Sequence, residues 1–157
     1  MMKIVAADES HFADIACLVS TPEELYLVYP RGRFPWSGEQ VKALAVSRRE
    51  PTVVLVDGQV VAFANLCNVD PGAVAFIGNV IVADPFKGRG IGQALIRHMI
   101  ELCQNRYSAV AHLAVFGFNA RALLLYARLG FKPYAVEARQ NLSGEPVALI
   151  KMHYVES

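Results

Sequence analysis

Two hydrophobic periods alternate along the chain. "TVVLVDGQVVAFANLCNV" holds two β-branched apolar runs joined at Asp57-Gly58, a dipeptide that favours a two-residue hairpin turn. "GAVAFIGNVIVAD" is a third long run, and its near-continuous apolar character predicts a strand covered on both faces. A three-strand meander follows from these runs. Upstream, "MKIVAA" reads as a short strand, and "ESHFADIACLV" as a helix with Phe12, Ile15, Ala16 and Val19 on one stripe. The turn-rich patches "STPE" and "YPRGRFPWSGE" flank a short segment, Glu23 to Tyr29. Ser37 and Gln40 then have capping-box spacing before a helix over "EQVKALAVSRR".

Helical spacing returns at Ile91, Leu95, Met99 and Leu102, with Ile96, Ile100 and Cys103 beside them and Gln93, Arg97, Glu101 and Gln104 on the polar side. One face of that helix is expected to pack on the sheet. "SAVAHLAVF" is the next strand, and Asn119 can cap a helix over "ARALLLYARL" that stops at Gly130, with Phe131 in the apolar position after a Schellman ending. "FKPYAVEARQN" and "PVALIKMHYV" read as a closing hairpin around Ser143-Gly144. No repeat or linker interrupts the pattern, so residues 1–157 read as one domain.

Composition narrows the classes of function. With 54% hydrophobic and 18% charged residues, the chain is too apolar for disorder. A net charge of +1 gives no overall attraction to nucleic acid or anionic lipid, so any anion site must be local. The three cysteines, Cys17, Cys67 and Cys103, lack metal or redox spacing and are expected to be buried, reduced thiols. No apolar run is long enough for a membrane helix, and "MMKIVAADES" lacks a signal-peptide h-region. A cytoplasmic location is the default expectation, with no metal and no membrane partner.

The chemistry concentrates in "VADPFKGRGIGQALIRHM", where Gly88, Gly90 and Gly92 alternate directly before a helix. Glycines there let backbone N–H groups turn toward an anion, and a helix start adds unpaired donors and partial positive charge. Lys87 and Arg89 add cations suited to a pyrophosphate. Two familiar nucleotide motifs fail on counting. No Gly-Lys-Ser or Gly-Lys-Thr occurs, which excludes a P-loop, and a Rossmann fingerprint begun at Gly88 or Gly90 meets Gln93 or Leu95 where a small residue is required.

"KGRGIG" resembles the pyrophosphate loop Q/R-x-x-G-x-G/A of the GCN5-related N-acetyltransferases, with Lys87 where Gln or Arg is usual. "NARALLLYARLGF" resembles a second motif of that family, with Asn119, Ala122, Leu125, Tyr126, Leu129, Gly130 and Phe131 in place. The resemblance is specific from about Val80 to Phe131. It implies an α/β (α+β) fold: a mixed, mostly antiparallel sheet of six to seven strands, about four flanking helices, and strands four and five splayed apart. It also implies acetyl-CoA in that gap. Backbone groups of Val80, Ile81 and Val82 would then pair with the pantetheine arm. Lys87 and the amides of Gly88, Arg89, Gly90, Ile91, Gly92 and Gln93 would hold the pyrophosphate, and Asn119 would contact the cofactor, cap its helix, or do both.

An amine attacking a thioester needs an oxyanion donor, a proton acceptor and an acid for the leaving thiolate. The resemblance implies the amide of Val82 for the oxyanion and Tyr126 for the acid, although Tyr126 also suits a core aromatic. A phenol of pKa near 10 protonates a thiolate whose acid sits near 8.5 at a cost of roughly 2 kcal/mol. Some relatives carry a glutamate five residues before the motif's Asn, where this chain has Ala114. His112, on the same strand face about 6.6 Å away, reads more naturally as a packed histidine. Glu24, Asp70, Asn79 and Glu137 are further candidates for the base.

"ELYLVYPRGRFPW" is expected to wall the acceptor site, with Arg31 and Arg33 for a carboxylate and Tyr26, Tyr29, Phe34 and Trp36 as an apolar wall, or else to pack those aromatics on the core. The main expectation is thus acetyl-CoA-dependent N-acetyltransfer to a primary amine of a small molecule or peptide, with a homodimer left open. The alternative, motivated by Ala114, is a non-catalytic acyl-CoA-binding or regulatory module.

Overall fold

The structure, a computed structural model, describes residues 1–156. Among them, seven strands, β1 (Met2–Ala6), β2 (Arg49–Val56), β3 (Gln59–Asp70), β4 (Val74–Val82), β5 (Val110–Phe116), β6 (Phe131–Gln140) and β7 (Pro146–Tyr154), form one sheet in the order β1-β2-β3-β4-β5-β7-β6. Five α-helices accompany it: α1 (Phe12–Ala16), α2 (Pro22–Val28), α3 (Gly38–Ser47), α4 (Ile91–Tyr107) and α5 (Ala120–Leu129). The expected α/β class and mixed sheet are present, with every neighbouring pair antiparallel except β4 and β5. Asp57 and Gly58 turn the first hairpin, both at positive φ (50° and 82°), the geometry that matches the sheet's twist.

Apolar side chains divide between the two faces of the sheet. On one, α4 buries Ile91, Leu95, Ile96, Met99, Ile100 and Cys103 against β3, β4 and β5, while Leu102 stays half-buried at the margin. On the other, Ile15, Leu25, Trp36, Val41 and Leu44 from the region of α1 to α3 pack on Val53, Phe63 and Ile81. The sheet's second half, β5 to β7, meets this group through Tyr26 of α2, whose ring stacks on Phe116 of β5.

Several local expectations change. The helix read over "EQVKALAVSRR" stops at Ser47, because Arg48 turns extended (φ −119°, ψ 170°) and Arg49 pairs with Leu66 in the sheet. "ESHFADIACLV" divides into a 3-10 turn, Glu9–His11, and the short α1. Glu23 to Tyr29 is mostly helical: Thr21 accepts the Glu24 N–H, and Pro22 opens the helix without wasting a donor, which gives the fifth helix. Ser37 caps α3 through the Gln40 N–H, but Gln40 turns its amide to the carbonyls of Arg33 and Pro35 instead of closing the reciprocal half of a capping box. The thiols are free, but Cys103 alone of the three is buried; Cys17 is exposed and Cys67 half-buried.

β4 is not covered on both faces. Ala75, Ile77, Asn79 and Ile81 are buried, and Val74, Phe76, Gly78, Val80 and Val82 are only half-buried. The reason is the separation of β4 from β5. They pair at Val74–Val110, Ala75–Ala111 and Phe76–His112 and no further. Beyond those pairs the strands diverge. The register of β4 against β3 also shifts between Phe63–Ile81 and Asn65–Gly78, and Asn79 at that bulge has φ 53°.

Candidate active site

Where β4 and β5 diverge, they bound a cleft of about 580 Å³. Val80, Ile81 and Val82 of β4, Lys87, Gly88, Gly90, Gly92 and Gln93 of the glycine loop, and Asn119 and Tyr126 at α5 all border it. Arg89 and Ile91 do not. The Arg89 guanidinium lies 5.2 Å above the Phe86 ring, and the Ile91 side chain is in the core, so each can offer the cleft only its main chain.

The glycine loop presents a run of unused donors. The amides of Phe86 and Lys87 reach the carbonyls of Ala83 and Asp84, and the amide of Ala94 begins the α4 ladder at Gly90. Between them the six amides from Gly88 to Gln93 have no hydrogen-bond partner among the described residues. Gly88 and Gly90 hold the required turns at φ 78° and 81°, a region costly for residues with a Cβ. Gly92 serves close packing: a Cβ there would lie 3.3 Å from Leu125 Cδ2 and 3.6 Å from Val82 Cγ2. The Lys87 ammonium is held at 2.6 Å by the Asp84 carboxylate.

Ladder parity decides which β4 groups face the cleft. The Ala83 N–H donates to the Val61 carbonyl at 2.9 Å, and hydrogen-bonded residues alternate along an antiparallel pair. Ile81, opposite Phe63, therefore turns its backbone to β3, while Val80 and Val82 turn theirs into the gap.

Tyr126 is 6% exposed, its ring 6.0 Å edge-on from Phe131, and its hydroxyl has no hydrogen bond among the described residues. Burial pushes its phenol above the ordinary value near 10, so it stays protonated. Asn119 Oδ1 accepts the Ala122 N–H at 3.4 Å, which makes it the cap of α5 at the cleft's edge.

The candidate bases separate clearly. Ala114 borders the cleft and offers no proton acceptor. His112 lies outside the lining, its Nδ1 2.9 Å from the Tyr134 hydroxyl and its ring beside Phe76 and His153. Burial first, and His153 second, hold its pKa below the usual histidine value. Glu137 is tied to Lys151 at 2.7 Å and Arg139 at 2.6 Å, which lower its pKa. Asp70 ends β3 away from the cleft. Glu24 borders the cleft, with Oε1 accepting from the Ser20 hydroxyl at 2.6 Å. Asn79 donates to the Val28 carbonyl at 2.8 Å and accepts from Asn65 Nδ2 at 2.9 Å.

The expected acceptor wall is shifted toward the helix. Trp36 is 6% exposed in the core, with Tyr29 tilted against it at 6.3 Å, and Arg31 and Arg33 do not border the cleft. Tyr26 stacks on Phe116 at 5.3 Å and its hydroxyl donates to the Gln140 carbonyl. The α2 face instead presents Glu24, Leu27 and Val28. Arg121 and Arg128 of α5 also reach the cleft, two residues that the sequence reading did not single out.

The model of the acetyltransferase (GNAT) family matches residues 18–131. The chain belongs to that family. Among curated relatives of this chain, the Escherichia coli K12 [ribosomal protein bS18]-alanine N-acetyltransferase is 33% identical over 98 residues, 62% of this chain and 65% of its own length. The chain thus matches slightly less than two thirds of that relative. The crystal structure of the ribosomal-protein-S18-alanine N-acetyltransferase from Escherichia coli superposes with a TM-score of 0.74 at 24% identity, covering 98% of this chain and 93% of the other. A Salmonella typhimurium chain solved with its cofactor acetyl-CoA gives 0.76 at 18% identity, over 97% and 92%. The family assignment and the GNAT fold, splayed strands included, agree.

Proposed function

We propose that this protein transfers an acetyl group from acetyl-CoA directly to a primary amine held in the same cleft. The observation that carries this reading is the run of six unpartnered amides from Gly88 to Gln93 at a helix start. That donor set fits a pyrophosphate, and the outward-facing backbone of Val80 and Val82 fits an amide-bearing arm laid along β4 as an added strand. Bound acetyl-CoA would supply an activated thioester carbonyl.

This chain's own residues then have separable tasks. The Val82 amide, with that of Val80 beside it, donates to the carbonyl oxygen as negative charge grows there. The Tyr126 hydroxyl, protonated and unpartnered, gives its proton to the departing sulfur. The new bond is C–N and the broken one C–S; the amine loses one proton and the thiolate gains one. Burial makes the phenol a weaker acid, but the same dry surroundings raise the basicity of a thiolate, so the roughly 2 kcal/mol mismatch need not widen. No carboxylate stands at Ala114, so the amine's proton leaves through ordered water, with Glu24 the carboxylate that borders the cleft.

Calorimetry with acetyl-CoA, CoA, ATP and NAD, followed by an amine panel read by free thiol, tests the proposal. CoA ligands should bind tightest, and at least one amine should release thiol. Tight CoA binding with no turnover on any amine would favour the non-catalytic module.

A further inference from the structure

The cleft carries opposite charge on the two faces of the sheet. The glycine loop and α5 pack with α4 on one face, and they bring its cations: Lys87, already paired with Asp84, and Arg121 and Arg128. On the other face α2 spans the gap. Its Val28 carbonyl accepts from Asn79 of β4, and its Tyr26 ring stacks on Phe116 of β5. Ala114, two residues before Phe116, turns its side chain to that same face. Glu24, Leu27 and Val28 recur at helical spacing and form the stripe of α2 that borders the cleft, with Val19 ahead of the helix. Among the described residues, Glu24 is the one charged side chain lining the cleft from this face. Lys151, opposite Ala114 on β7, is held by Glu137 at 2.7 Å and does not border the cleft, nor do Arg31 and Arg33.

Glu24 is anchored through one oxygen only. Oε1 accepts from the Ser20 N–H at 3.2 Å, the Ser20 hydroxyl at 2.6 Å and the Thr21 hydroxyl at 3.4 Å. Oε2 has no hydrogen-bond or ion-pair partner among the described residues. The result is a half-buried carboxylate, already held in place and lacking a cation, at the edge of an apolar stripe. Because its rotamer is fixed beforehand, taking a cation there costs little further ordering.

We propose that Glu24 receives the acceptor as an ammonium, so that the acceptor carries its amine on an apolar body with no carboxylate beside it. The proposal rests on the acetyl-transfer reading above. With the pyrophosphate on the glycine loop and the arm along β4, the amine reaches the thioester from the α2 face, past Glu24. Amines of pKa about 8 to 10 arrive there protonated, the form that a carboxylate attracts, and lose that proton to water before attack. Val19, Leu27, Val28 and Ala114 cover the carbon skeleton. An α-carboxylate would instead stand beside the Glu24 anion, with no free cation on that face to receive it, so free α-amino acids are rejected by like charge. A peptide N-terminus and an alkylamine share the accepted chemistry.

The test measures kcat/KM, per neutral amine, for leucine, leucinamide, isoamylamine and a short amidated peptide beginning with leucine, using the full chain with acetyl-CoA. The acceptors without an α-carboxylate should exceed leucine about 10-fold or more, mainly through KM. Whichever of isoamylamine and the peptide leads tells a small amine from a polypeptide terminus, and either agrees with the subsite. Glu24→Gln keeps the side chain's shape and its acceptor for Ser20. It should raise KM for these acceptors and shrink their advantage over leucine about 5-fold or more, while CoA affinity and Tm hold. Leucine equal to or better than leucinamide would overturn the subsite. So would an advantage that Glu24→Gln leaves intact, including a loss of kcat shared equally by all acceptors, which would limit Glu24 to proton exit. Should that variant not fold, the wild-type ratio decides alone. If CoA binds but no amine is acetylated, the transfer reading fails separately, and calorimetry on the CoA-loaded chain decides the subsite. Leucinamide bound more tightly than leucine supports it; equal binding, or none, overturns it.

Discussion

Tyr126 offers an acid that ordinary pH cannot remove. Its folded-state pKa is raised by burial, so its proton is present throughout the neutral range and past the usual phenol value. Alkaline loss of rate below pH 10 must therefore come from another group. Tyr126→Phe keeps the ring against Phe131 and removes only the donor; kcat should fall about 100-fold with CoA affinity changed less than about twofold. An unaltered kcat would exclude the tyrosine. His112 shifts in the opposite sense. Held neutral by burial and by His153, it binds its proton less readily when folded, so the unfolded chain takes up more protons below about pH 6.5 and native stability falls as pH drops through that value. Tyr134, His153, Lys151 and Glu137 are the polar neighbours on that face, with Phe76 beside them. An NMR titration should place the His112 midpoint below the ordinary 6.5, and His112→Gln should flatten the acid slope of stability between about pH 7 and 5. A midpoint above 6.5 would contradict the packing described.

Elements obeyed the sequence where the signal was local. Asp57-Gly58, the Ser37 and Asn119 caps and the α4 stripe all depend on residues within a turn or two of each other, and each appears in the fold. The glycine loop was legible for the same reason. What could not be read was tertiary: Asn79, named from the sequence only as a candidate for the base, sits at the bulge and ties the last carbonyl of α2 to Asn65, 14 positions back on β3. The end of α3 was misplaced because Arg48 and Arg49 are good helix formers that strand pairing overruled. Asn79→Ala should leave the Val28 carbonyl and Asn65 Nδ2 unmatched and cost about 2–4 kcal/mol, measured by denaturant unfolding. Gly90 gives a sharper separation. Nothing lies within 4 Å of a Cβ placed there, so the free fold suffers only from the positive φ, on the order of 1–2 kcal/mol. CoA, in contrast, needs that space if the loop cradles its pyrophosphate. Gly90→Val should fold with a modestly lower Tm and lose CoA binding; retained affinity would place the cradle elsewhere.

At the scale of the molecule, the sheet is two blocks joined by a narrow hinge of backbone pairs. β1 to β4 form one block and β5, β7 and β6 the other, and three parallel pairs at Val74, Ala75 and Phe76 join them. Beyond Phe76 the backbone groups of Val80 and Val82 face a gap with no strand to receive them. An extended ligand arm there would do more than occupy a pocket: it would complete the sheet between the blocks, so its binding energy should register as whole-molecule stability. At a concentration 100 times Kd the coupling is about 2.7 kcal/mol, which for a chain of this size corresponds to a rise in Tm of roughly 5–11 °C. Hydrogen exchange should then slow at Val80 and Val82 and across Gly88 to Gln93, while Ile81, already turned to β3, should be little altered beyond the global effect. ADP carries the pyrophosphate without the arm, so it should protect the glycine loop alone. If CoA protected the loop and left Val80 and Val82 unchanged, the arm would not lie along β4, and the gap between the blocks would need another occupant.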